Sequence, residues 1–101
     1  MNPDILSEIN LGDVVKTTAG RDQGKLFYVI HVEEAYVMLA NGKDRPLDRP
    51  KRKKRKHVQK VLRSETRVAE KLRRSDKVLN GELRRDLAFL ADQMQANNLG
   101  G

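Results

Sequence analysis

The sequence predicts a small β domain followed by a helical appendage, and three observations carry that reading. Residues 12 to about 62 hold short β-branched and aromatic runs separated by glycine, proline and Asn-Gly punctuation. After Ser64 the apolar residues recur with the period of a helix. The end of the first region is a cationic block. Residues 49 to 63 carry nine basic side chains and no acid, leaving 12 basic and 14 acidic across the other 86 residues, a net of −2.

Each element follows in chain order. Residues 1 to 11 form a lead-in, with Ile5, Leu6 and Ile9 spaced for a short helical turn. Val14, Val15, Thr17 and Thr18 read as a first strand, and Leu26 to Val32 as a second. Glu33-Glu34 is a polar break before a third run, Tyr36 to Leu39. Asn41-Gly42 follows at once and predicts a hairpin, because both turn positions of a tight hairpin favour φ > 0. Lys43 to Leu47 is then a short return strand, which Pro46 and Pro50 confine to an edge or end. Val58 to Leu62 is a last strand. Val68, Leu72 and Leu79 mark the face of a first helix with Ser64 as its cap. Leu83, Leu87, Leu90 and Met94 mark a second, capped by Asn80. Residues 97–101 read as a disordered tail. Three of the four aromatics, Phe27, Tyr28 and Tyr36, lie in the strand region and are expected in the core instead of serving as base-stacking platforms, since a barrel this size has few other large side chains; the fourth is Phe89.

Length and composition exclude much. The chain has 101 residues, 38% hydrophobic residues and a net charge of +7, too little core for a deep catalytic pocket. Without cysteine it builds no disulfide scaffold, thiolate zinc site or iron–sulfur cluster. No stretch approaches the roughly 18 apolar residues that span a bilayer, and Met1-Asn2-Pro3-Asp4 lacks the build of a signal peptide. A soluble cytoplasmic protein is expected, with no cofactor, metal or small-molecule substrate.

The segment from Gly12 to Val29 is the most specific signal. A strand ends at Gly20, the loop Gly20-Arg21-Asp22-Gln23-Gly24 reverses the chain, and Lys25 restarts it. A positive φ is expected at Gly24. Exposed backbone N–H groups and the cations Arg21 and Lys25 at the loop mouth suit a phosphate backbone.

This segment resembles a KOW motif. Gly12-Asp13, Val15, Thr17, Gly20, Gly24-Lys25 and Val29 fall in register with its pattern. Gln23 stands where a basic residue is common, and Phe27 where a glycine is common. Residues 10 to 62, including the run from Arg45 to His57, resemble the bacterial KOW-domain RNA-binding proteins grouped with the fourteen-e type ribosomal proteins. The resemblance covers about half of the chain. It implies a small SH3-like five-stranded barrel over residues 12–63 that binds RNA. Residues 64–96 then form the helical appendage. KOW domains in transcription elongation factors contact protein instead, which leaves a protein-interaction module of the transcription or translation machinery as the alternative.

The block itself favours nucleic acid. Lys51 to Lys56 are six consecutive cations, which repel one another in isolation and attract a polyanion. A solvated loop without a partner, a nuclear-import signal and a membrane-surface patch are the competing readings; no amphipathic apolar face accompanies the block to support the last. With no helix-turn-helix pattern and no zinc ligands, RNA is favoured over DNA, read by shape or as a single strand. The expected contacts are Arg45, Arg49, Lys51, Arg52, Lys53, Lys54, Arg55, Lys56, His57 and Lys60, assisted by Lys16, Arg21 and Lys25. His57 is read as a neutral hydrogen-bonding contact and His31 as a structural strand residue. Ribonuclease chemistry at His57 lacks a partner, since the nearest acids, Asp48 and Glu65, stand eight or nine residues away. Asp44 and Asp48 sit among cations that oppose a bound metal. A non-catalytic role is expected. The helical stripe is expected to pack on the β domain or on itself, with a protein partner as the sharper reading.

Overall fold

The computed structural model describes residues 8–100; the turn expected around Ile5 and Leu6 lies outside them. Five strands, β1 (Asp13–Thr17), β2 (Leu26–Val32), β3 (Tyr36–Ala40), β4 (Lys51–Lys54) and β5 (Val58–Arg63), form one antiparallel sheet in the order β4-β3-β2-β1-β5. Two helices follow, α1 (Arg67–Arg73) and α2 (Asn80–Gly100).

The sheet is buried on both faces, which explains why β1 and β2 read as unbroken apolar runs. Adjacent residues point to opposite faces. Val15, Phe27, Val29, Val37, Leu39 and Val58 pack on one face with Ile9 of the lead-in. Val14, Tyr28 and Ala40 pack on the other against Val68 and Ala69 of α1 and Leu83 and Leu87 of α2. A fully buried side chain of this size contributes roughly 1.5–3 kcal/mol. The helices therefore cover the sheet. Two bulges bend it. Val14 pairs with Leu62 and Val15 with Lys60, which leaves Val61 extra; Val29 pairs with Leu39 and His31 with Met38, which leaves Ile30 extra. Both extra residues pack toward the helices.

No ladder joins β4 to β5 among the described residues, so the expected barrel is an open five-stranded sheet whose two edges are linked by a 3₁₀ turn, Arg55–His57. Hydrogen bonds from other groups span the opening. The Lys53 ammonium donates to the Ala19 carbonyl at 2.9 Å and the Arg55 guanidinium to the Ile9 carbonyl at 3.2 Å, while the Thr18 N–H extends the β1–β5 pairing into the turn by donating to the His57 carbonyl at 2.9 Å.

The return strand is not Lys43 to Leu47. Residues 41–50 are a loop, and β4 is the cationic block itself. The Asn41 side-chain oxygen accepts from the N–H groups of Lys43 and Arg45, at 2.9 and 3.0 Å, so the asparagine organises a wider loop instead of a two-residue hairpin.

The helical end also differs in detail. Thr66, not Ser64, caps α1: its hydroxyl accepts from the Ala69 N–H at 3.2 Å. Ser64 is buried, and its hydroxyl lies 2.9 Å from that of Tyr28, which donates to Asp86 of α2 at 2.7 Å. This hydroxyl cluster fastens α2 to the centre of the sheet. The helix α1 stops at Arg73 because Ser75 turns left-handed at φ 60°. There the Ser75 N–H reaches the Leu72 carbonyl and the Asp76 N–H the Lys71 carbonyl, a Schellman closure. Leu79 is thus off the helix and 57% exposed. Asn80 does not cap α2; its side chain accepts from the Leu47 N–H at 2.8 Å, and Glu82 accepts from the Leu79 N–H at 3.1 Å in the capping role. The helix α2 continues through Gly100, past the point where the sequence predicts a disordered tail; Gly101 lies outside the described residues.

Candidate nucleic-acid interface

The cations are placed by strand geometry. Lys51, Arg52, Lys53 and Lys54 stand opposite Leu39, Met38, Val37 and Tyr36. Successive side chains on a strand alternate, so Lys51 and Lys53 share the face of Leu39 and Val37, while Arg52 and Lys54 share that of Met38 and Tyr36. Alternation halves the charge density on each side, which is how six adjacent cations fit into regular structure. The 3₁₀ turn carries on with Arg55, Lys56 and His57.

Several of these charges serve the fold. Arg52 is bound to Glu33, with its Nη2 3.0 Å and its Nε 3.5 Å from the two carboxylate oxygens, and its guanidinium carbon lies 3.7 Å from the Tyr36 ring centroid. The hydrogen bond from Arg52 holds the Glu33 carboxyl below its usual range. Lys53 and Arg55 span the sheet opening as described above. Lys60 of β5 lies 3.3 Å from the buried Asp13 carboxylate.

Others are drawn to acids away from β4. Lys25 lies 3.0 Å from Asp44 and 3.5 Å from Asp22, and Arg45 lies 3.8 Å from Asp22. The Asn41 amide and then Lys25 hydrogen-bond to Asp44 and hold its carboxyl at about 2. The hydrogen bond with Asp44 in turn raises the Lys25 ammonium. This network joins the glycine loop to the 41–50 loop.

The remaining expected contacts form no ion pair among the described residues: Lys16, Arg21, Arg49, Lys51, Lys54, Lys56 and His57. Of these, Lys51, Lys54, Lys56 and His57 belong to one continuous strand and turn. Lys16 is not with them; it lies on β1, opposite Gln59 and Leu26, with β2 and β3 between it and β4. The glycine loop comes near through Ala19, which Lys53 touches.

The aromatics divide. Phe27 and Tyr28 are buried as expected, but Phe89 is 65% exposed and Tyr36 is half-buried at the start of β3. Sequence reasoning missed Tyr36 because its cationic surroundings arise from pairing with a strand that carries no strand-like pattern. A depression beside the ring is lined by Glu34, Ala35, Tyr36, Lys54, Arg55 and Lys56.

Among the described residues no group of three or more acids, histidines or cysteines is placed to hold a metal ion, and no helix is long and apolar enough to cross a membrane. The chain matches no protein-family model, and a search of curated proteins gives no match.

Proposed function

We propose that this chain is a non-catalytic RNA-binding module of the KOW, SH3-like kind, acting in the bacterial cytoplasm on ribosomal or other structured RNA. The single observation that carries the reading is the unpaired cations along the edge strand and its turn: Lys51 on one face of β4, Lys54 on the other, and Lys56 in the turn that follows. These cations have no acidic partner among the described residues, and the β3–β4 ladder and the turn fix their backbone. Lysines on an edge strand also discourage a second sheet from pairing there. That role needs one or two charges, and the block has six. The five antiparallel strands and the positive φ of Gly24 at the end of the glycine loop support the reading, while the sheet is open where the resemblance implies a closed barrel. Contacts with phosphates position an RNA without reading its sequence, so recognition rests on shape.

A protein-interaction role has one observation in its favour: Leu79 and Phe89 are exposed at the helical end. It places a partner on the helices and is compatible with RNA bound at the block. The test is to purify the protein from its own cells and ask whether it carries nuclease-sensitive nucleic acid, then to crosslink and sequence what is bound. RNA enrichment that disappears when Lys51, Lys54 and Lys56 are neutralised supports the proposal; a protein free of RNA and a helical surface that retains a protein partner support the alternative.

A further inference from the structure

We infer that Tyr36 and Arg52 form a stacking subsite for one unpaired RNA base, beside the phosphate-binding cations; this rests on the RNA-binding reading above.

Two tyrosines in the same sheet make the contrast. Tyr28 is 1% exposed, and its hydroxyl is bonded to Asp86 and Ser64. Tyr36 is half-buried, and its hydroxyl forms no hydrogen bond among the described residues. Its ring is nonetheless held. Arg52 lies over it at 3.7 Å and is itself tied to Glu33. The guanidinium plane and the ring are therefore ordered in advance, which lowers the entropy cost of stacking a third flat group. The depression alongside is lined by Glu34, Ala35, Tyr36, Lys54, Arg55 and Lys56. An aromatic ring suits a base and the cations beside it suit its flanking phosphates, the combination that single-stranded nucleic acid requires. An acidic peptide would use the cations and leave the ring idle. Glu34 in the same lining repels a phosphate and accepts from an exocyclic amine, so a base with an amino group suits the subsite better than uracil.

The test measures fluorescence anisotropy of the full chain with a labelled RNA of about eight cytidines, an abasic oligomer of equal length and charge, and polyglutamate. The expected result is a preference of about tenfold for the cytidine RNA over the abasic oligomer. Tyr36→Leu abolishes that preference while leaving abasic binding unchanged, and Tyr36→Phe keeps it. Thermal melts establish that each variant is folded. Equal wild-type affinity for the cytidine and abasic oligomers, or a Tyr36→Leu loss shared by both, overturns the subsite. Polyglutamate binding as tightly as the cytidine RNA also overturns it, in favour of an acidic protein. A wild-type protein that binds a duplex RNA but not the single strand overturns the subsite alone; one that binds no RNA of any form overturns the functional proposal with it.

Discussion

The Lys53 ammonium of β4 donates to the Ala19 carbonyl, 2.9 Å away, across the side of the sheet that no strand pairing closes. A residue in the middle of the cationic block is thus a brace between an edge strand and the glycine loop. Its neighbour Lys54 points to the other face and pairs with no acid among the described residues. Stability and binding are separable at adjacent positions.

Lys53→Met keeps the apolar stem and removes the donor, leaving the Ala19 carbonyl without its partner. A loss of about 1–2 kcal/mol is expected. Lys54→Gln is expected to stay within about 0.5 kcal/mol of the parent. Urea unfolding of the two variants checks the contrast, and equal midpoints would show that the Lys53 contact contributes nothing.

Two glycines of positive φ differ in what surrounds them. At Gly24, φ +86°, an added Cβ meets nothing within 4 Å; at Gly42, φ +75°, it would come within 2.1 Å of the Asn80 carbonyl oxygen. Gly24→Ala carries backbone strain alone, about 1–2 kcal/mol. Gly42→Ala adds a collision with the backbone at the start of α2, for a total on the order of 3–5 kcal/mol. Thermal melts of both variants measure the difference, and a Gly42→Ala protein as stable as Gly24→Ala would contradict the docking of α2 on the 41–50 loop.

Asp44 sets an acid limit. Its carboxyl is held at about 2 by Asn41 and Lys25, so the unfolded chain takes up the proton first as pH falls. The stability it contributes is complete above the unfolded value of about 3.9 and is lost as pH drops toward the folded one. Asp44→Asn is expected to lower the melting temperature near neutrality, where the contribution is complete, and to flatten its pH dependence in that window. A variant whose acid dependence matches the parent's would remove the role assigned to the Asn41–Asp44–Lys25 contact.

Much of the sheet was legible in sequence, and what was hidden has physical causes. β1, β2, β3 and β5 follow their β-branched and aromatic runs, and the left-handed Gly24 was readable from a reversal between two strands. β4 was not, because Lys51–Lys54 has no apolar alternation. It is a strand since β3 offers it a hydrogen-bonding edge and its charges can alternate faces. The end of α1 was hidden because a serine, not a glycine, occupies the left-handed closing position at Ser75. At the candidate site the sequence located the charges but not their division. Arg52, Lys53, Arg55 and Lys60 acquire partners only once β4, the lead-in and the β1–β2 loop come together. Tyr36 gains its cationic surroundings by the same pairing.

The central claim is that the cations on β4 and the turn bind RNA phosphates. The most direct measurement is the salt dependence of affinity for a purified ribosomal RNA fragment, with the parent and with a Lys54→Gln, Lys56→Gln double variant. Each phosphate contact contributes about 0.7–0.9 to the slope of log affinity against log salt, so the double variant is expected to have a slope shallower by about 1.5 and an unchanged melting temperature. A parent that does not bind RNA, or a variant with the parent's slope and affinity, would contradict the claim.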